Sequence, residues 1–133
     1  MLSLSQAEKI VETVLEHASK IQQNISVAVV DANGTLLCVK RMETSFVVSA
    51  DFALAKAYTA AVFGMPTETI GQYSAPEKPY YGINTNFSGK FMVIAGGVPI
   101  HVGGKVVGAV GVGGSTDVGL DVECANAGVA SVS

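Results

Sequence analysis

Two histidines and two cations are the side chains of this chain best suited to do chemistry. His17, in the run EHASKI, borders the apolar stripe of a first helix, about 20° from Ile10 and about 40° from Ile21 around the wheel. An imidazole at such a border either turns one nitrogen into a cleft, as ligand or base, or caps an apolar edge. His101 stands beside Gly103-Gly104 at the end of a strand. Neutral imidazole there is able to ligate a metal or carry a proton near pH 7, and an ordinary edge-strand histidine is the simpler reading. Arg41 closes a strand, and its guanidinium fork suits a carboxylate held by two parallel hydrogen bonds. Lys56 projects from an alanine-rich helix. Either cation would select an anionic ligand, and either also reads as one half of a surface ion pair. Tyr80 and Tyr81 lie in a long loop, where aromatic side chains can cover a flat ring.

Other patterns are weaker. Two histidines cannot complete a three-histidine zinc site, and no set of His, Cys, Asp and Glu has metal-ligand spacing. Cys38 and Cys124 are far apart and read as two buried thiols, with a disulfide or a metal pair as the alternative. Asp31 reads as a turn cap. The glycines at 108, 111, 113 and 114 form neither a phosphate loop nor a dinucleotide fingerprint. The run Gly113-Gly114-Ser115-Thr116 precedes a helix and leaves backbone N–H groups for a cap or an anion.

The elements that must position these residues are legible in outline. Ser5 and Glu8 fit a capping box, and Ala7, Ile10, Val11, Val14, Leu15, Ala18 and Ile21 then recur as one helical stripe. Residues 25–30 are almost continuously apolar, Asn33-Gly34 offers a tight turn, and 35–41 return as a second strand. Ser45 or Ser49 caps a second helix whose small face, Ala50, Ala53, Ala57, Ala60 and Ala61, permits close packing; Gly64 and Pro66 end it. A short helix is predicted at 67–73 and a loop at 74–89. Strands follow at 90–95, 98–102 and 105–112, the last two joined at Gly103-Gly104. A closing helix starts near Asp117. This order predicts one α+β domain over 1–133, with a five-stranded antiparallel sheet packed by helices and with 25–30 and 105–112 as interior strands.

Composition narrows the function. The chain has 133 residues, a length suited to one domain. Its net charge is −3 and its one basic doublet is Lys40-Arg41, which excludes nucleic acid as a partner. The amino-terminal residues lack a signal-peptide pattern. The apolar stretch 91–114 is broken by Pro99, His101 and Lys105, so no membrane span is expected and the protein is expected to be cytoplasmic. Hydrophobic residues make up 49% and charged residues 14%, a surface so weakly charged that a homo-oligomer is expected.

Four segments together, SVAVVDANGTLLCVKRM, SADFALAKAYTAAVF, GGVPIHVGGKVVGAVGVGGS and a short alanine-rich last helix, resemble the GlcG/HbpS family, also called the haem-degrading domain family. The element PYYGI resembles the branch found as the C-terminal domain of PduO-type cobalamin adenosyltransferases. The resemblance implies a profilin-like fold, assembly into dimers or larger oligomers and, for some members, haem or a related tetrapyrrole at an inter-subunit site. It places His17 where that branch has an axial ligand from its first helix. The family's common Met-Asp-Gly reads Met42-Glu43-Thr44 here, and its G-V-S-G-G reads Gly111-Val112-Gly113-Gly114. Three functions follow as expectations. The first is a protein that binds haem or a corrinoid, with His17 as metal ligand and Arg41, Lys56, Tyr80 and His101 as further binding residues. The second is a small enzyme acting on an anionic catabolic metabolite, with Arg41 or Lys56 holding the carboxylate and a histidine moving the proton. The third is a non-catalytic accessory subunit.

Overall fold

The computed structural model describes residues 1–132. Helix α1 (Leu4–Lys20) leads into strands β1 (Ser26–Asp31) and β2 (Leu36–Arg41). Helices α2 (Ser49–Phe63) and α3 (Thr67–Tyr73) follow, then strands β3 (Gly97–Val102) and β4 (Lys105–Gly113) and helix α4 (Val118–Ala130). The described residues thus form an α+β domain with four α-helices and one antiparallel sheet in the order β2-β1-β4-β3. The interior strands are β1 and β4, as their apolar runs predict.

The sheet has four strands among the described residues, not the expected five. Residues 90–95 are apolar but make no ladder. Their segment is held instead by side chains: the Met92 N–H donates to Thr59 Oγ1 at 2.9 Å, and Phe91 packs against Tyr58, Phe63 and Phe87. Gly96 then turns the chain at φ 129°, so β3 starts only at Gly97.

The sheet separates two apolar layers. On one face Val27, Val29, Val110 and Val112 meet Ile10, Val11 and Val14 of α1 and Cys124 and Ala125 of α4. On the other, Ala28, Val30 and Ala109 meet Ala53, Ala57 and Ala60 of α2. That second contact is so close that a Cβ on Gly111 would stand 1.9 Å from the Ala53 carbonyl oxygen. The small face of α2 and the glycines of β4 are two halves of one feature, a helix laid directly on strand backbone. Helix α1 starts two residues earlier than its capping signal at Ser5 suggests. Ser3 accepts from the Gln6 N–H while Gln6 accepts from the Ser3 N–H, and buried Leu2 and Ala7 flank the box as a staple. Helix α2 has no side-chain cap; Ser49 is buried in its first turn and shares hydrogen bonds with Ser26 and Ser45.

Candidate functional site

His17 sits in the last turn of α1 on the outer side of the α1/α4 layer, half-buried. Its Nε2 lies 2.7 Å from Oε2 of Glu123 on α4. The two helices run antiparallel: Gly128 of α4 abuts Ile10 and Val14 of α1, and Gln23, just beyond α1, accepts from the Thr116 N–H just before α4. Glu123 is therefore delivered to the imidazole by backbone packing, not by the reach of a loose side chain.

Arg41 ends the edge strand β2 opposite Ser26 and donates from Nη2 to the Ser45 carbonyl at 3.0 Å. His101 is exposed on the other edge strand, opposite Val106, next to a register shift. Three strand spacings and the length of β4 from Val106 to Gly113 separate the two, roughly 25–30 Å. Within one chain no small metabolite touches both.

Lys56 is 1% exposed. The pairing of β3 with β4 ends at Gly97 opposite Gly111, which leaves the Val112 carbonyl without a strand partner. The Lys56 ammonium fills that gap, donating to Val112 at 2.9 Å and to Oδ2 of Asp121 at 3.1 Å. Asp121 completes its own satisfaction by accepting from the Ser115 N–H. The side chain thus leaves α2 on one face of the sheet and ends on α4 on the other, past Gly96, where a Cβ would stand 2.8 Å from Nζ. Burial lowers the Lys56 pKa, and the neighbouring Asp121 carboxylate pulls it back only in part. Among the described residues the ammonium has internal partners and ties two layers together.

Tyr80 lines a cavity of about 300 Å³ with Phe63, Met65, Ile70, Tyr73 and Pro79. This cavity lies at the far end of α2, so the sheet stands between Tyr80 and His17. Arg41 also lies on the α2 side, since it faces Ser26, whose hydroxyl bonds to Ser49 of α2. The expected residues are therefore distributed: His17 on one face, Arg41 and Tyr80 on the other, Lys56 buried between them and His101 at a distant edge. Asp31 caps its turn, accepting from the Asn33 and Thr35 N–H groups. Both cysteines are free. Burial, then Asp121 and Glu123, push the Cys124 thiol up to about 11; burial and then Glu8 also raise Cys38. Among the described residues no group of three or more metal-ligating side chains of the His, Cys, Asp and Glu types converges, and no helix is long and apolar enough to cross a membrane.

Sequence reasoning missed Glu123 and Asp121. A signal exists for Asp121: it shares the buried face of α4 with Cys124 and Ala125, and an acid on an apolar face needs a partner. Glu123 carries no such signal, because its partner is fixed only by how α1 and α4 pack.

The family model described as "Haem degrading protein HbpS-like" matches residues 2–130. A 15.0 kDa Citrobacter freundii protein from the dhaT-dhaS intergenic region is 36% identical over 115 residues, covering 86% of this chain and 81% of its own. The corrinoid adenosyltransferase PduO of Salmonella typhimurium is 29% identical over 122 residues, 91% of this chain but only 36% of PduO. Among solved structures, a PduOC:heme complex superimposes with a TM-score of 0.94 at 27% identity, covering 98% of this chain and 94% of that one. A double mutant of Streptomyces reticuli HbpS gives 0.92 at 32% identity, covering 99% and 87%. The matches span nearly every element described above, and the chain belongs to the HbpS-like family.

Proposed function

We propose that this protein binds haem or a related tetrapyrrole, with His17 as the axial ligand, where two copies of the chain meet. The observation that carries this reading is the half-buried imidazole on the outer face of α1, in a chain whose whole fold matches a protein crystallised with haem. The donor chemistry suits the group, since a neutral imidazole nitrogen is a standard axial ligand to haem iron. The chain supplies the donor, and His17 is not among the residues lining the cavities about Tyr80 or about Tyr58 and Lys90. The cavities about Tyr80 and about Tyr58 and Lys90 lie on the α2 side, so Tyr80 and Arg41 would cover a ring at His17 only from a second copy. When bound, the iron supplies a redox-active centre; the chain's own part is to ligate it, shield it and exclude water. The enzyme reading finds less support, because Arg41 and His101 occupy opposite corners of the sheet and the Lys56 ammonium is already paired.

Titration with hemin tests the proposal. The unmutated protein should develop a shifted Soret band, and His17→Ala should lose at least about ten-fold in affinity, equivalent to ~1.4 kcal/mol, with an unchanged circular dichroism spectrum. Equal binding by both proteins would remove His17 from the site. Binding of cobalamin in place of hemin would assign the site to a corrinoid.

A further inference from the structure

The atom of His17 best placed to ligate iron is already engaged. Nε2 meets the Glu123 carboxylate at 2.7 Å, while Nδ1 adjoins the ring carbon that carries the side chain and so lies nearer the α1 backbone. Nε2 is the ring nitrogen further from that backbone, so a flat macrocycle reaches it with less of α1 in its way. A carboxylate on the nitrogen opposite the iron would orient the ring and raise its basicity. A carboxylate on the ligating nitrogen does the reverse, because that nitrogen cannot donate to Glu123 and bind iron together.

The contact is also held in place. Helix α4 is pinned at its start by Asp117, which accepts from the Gly119 N–H. Asp121, one half-turn before Glu123, is held by the buried Lys56 ammonium and the Ser115 N–H. Gly128, further along, lets α4 lie against Ile10 and Val14 of α1. Glu123 therefore keeps its position over His17 and leaves it by rotating its side chain into solvent, to which it is half-exposed.

We propose that Glu123 is a gate on the axial-ligand site: it occupies Nε2 of His17 in the free protein, and binding of the iron group requires this carboxylate to swing away. The proposal rests on the haem reading, and it assigns Glu123 a regulatory role in that reading. The gate sets affinity by competition, so a second copy or a ligand propionate that moved Glu123 would favour binding, and anything that held it on His17 would oppose binding.

Two readouts on the full chain decide it. In hemin titrations followed at the Soret band, Glu123→Ala should bind on the order of ten-fold more tightly than the unmutated protein, since a hydrogen bond to a charged group no longer has to be broken. Glu123→Gln, which keeps a weaker acceptor, should fall between. Without hemin, carbethoxylation by diethylpyrocarbonate, resolved by peptide mass spectrometry, should be faster at His17 in Glu123→Ala and unchanged at the distant His101. Equal or weaker hemin binding by Glu123→Ala would overturn the gate, and weaker binding would make Glu123 a support of the site instead. If no variant gives a His17-dependent haem band, the haem reading fails and the proposed role in iron binding falls with it. An unchanged carbethoxylation rate at His17 would then also refute the masking of Nε2.

Discussion

The residue that departs furthest from its sequence reading is Lys56. On an alanine-rich helix a lone lysine looks like a solvated cation; its acid partner stands 65 positions away, and no local pattern joins them. Its burial follows from the late start of β3 at Gly97, which leaves one carbonyl of β4 open and gives the ammonium a reason to be inside. A buried ion pair of this kind costs most when one partner is removed alone. We therefore expect Lys56→Met to lose about 3–5 kcal/mol in urea unfolding, and the double variant Lys56→Met/Asp121→Leu to recover most of that loss. A double variant no more stable than the single one would show that the pair does not act as a unit. The pH dependence has a definite sign. Burial holds Lys56 below its ordinary 10.5, so between the lowered value and 10.5 the unfolded chain keeps a proton the folded chain has released, and stability rises with pH there. Relative to the double variant, which lacks the group, the unmutated protein should gain stability as pH rises through that window. Of the proposed site, the border position of His17 was legible and its neighbour Glu123 was not, because helical periodicity places one side chain on a border while only the crossing of α1 and α4 says what waits on the other side.

At the scale of elements, patterns of two and of 3.6 residues located all eight α-helices and strands close to their ends, and they misjudged one further apolar run. Residues 90–95 look like a strand because periodicity counts apolar residues without asking where the backbone N–H groups go. Here Thr59 takes one of them, and the aromatic rings around Phe91 supply the burial a sheet would have given. The capping box slipped by two residues for a different reason: Ser3 and Ser5 both precede a Glu or Gln by three, and buried Leu2 decides for the earlier one. The glycines of β4 were legible as a close approach, and the structure identifies what approaches. Gly111→Ala would drive a methyl group into the Ala53 carbonyl, with backbone on both sides and no flexible tip to yield. It should cost about 3 kcal/mol or more in chemical unfolding, as overpacking against backbone does. Gly103→Ala is the control: nothing lies within 4 Å of its Cβ position, and its left-handed φ of 57° should cost only about 1–2 kcal/mol. Similar losses at the two positions would mean that α2 does not rest on β4 as described.

At the scale of the whole molecule, the chain exposes two groups of large apolar side chains. Phe46, Val47 and Val48 form one contiguous exposed run, Val47 at 83%, and Tyr80, Tyr81 and Phe87 form another group on the loop after α3. Charged residues make up only 14% of the chain, so little repulsion opposes contact between copies. The distribution of candidate ligand-binding residues leads to the same arrangement. An imidazole on the α1/α4 face and a tyrosine and an arginine on the α2 face cannot surround one ring within a protomer, whereas the α2 face of one copy set against the α1 face of another would bring them together. We expect light scattering at micromolar concentration to give a multiple of 13.6 kDa, and a mass equal to the protomer across that range would refute the assembly. If the site is shared, affinity must also follow assembly, since a ligand that binds only the oligomer stabilises it by mass action. Dilution to the point where the unliganded protein dissociates should therefore weaken hemin binding, and added hemin should shift the dissociation to lower protein concentration. Hemin affinity that stays constant while the mass falls to that of the protomer would place the complete site within a single chain.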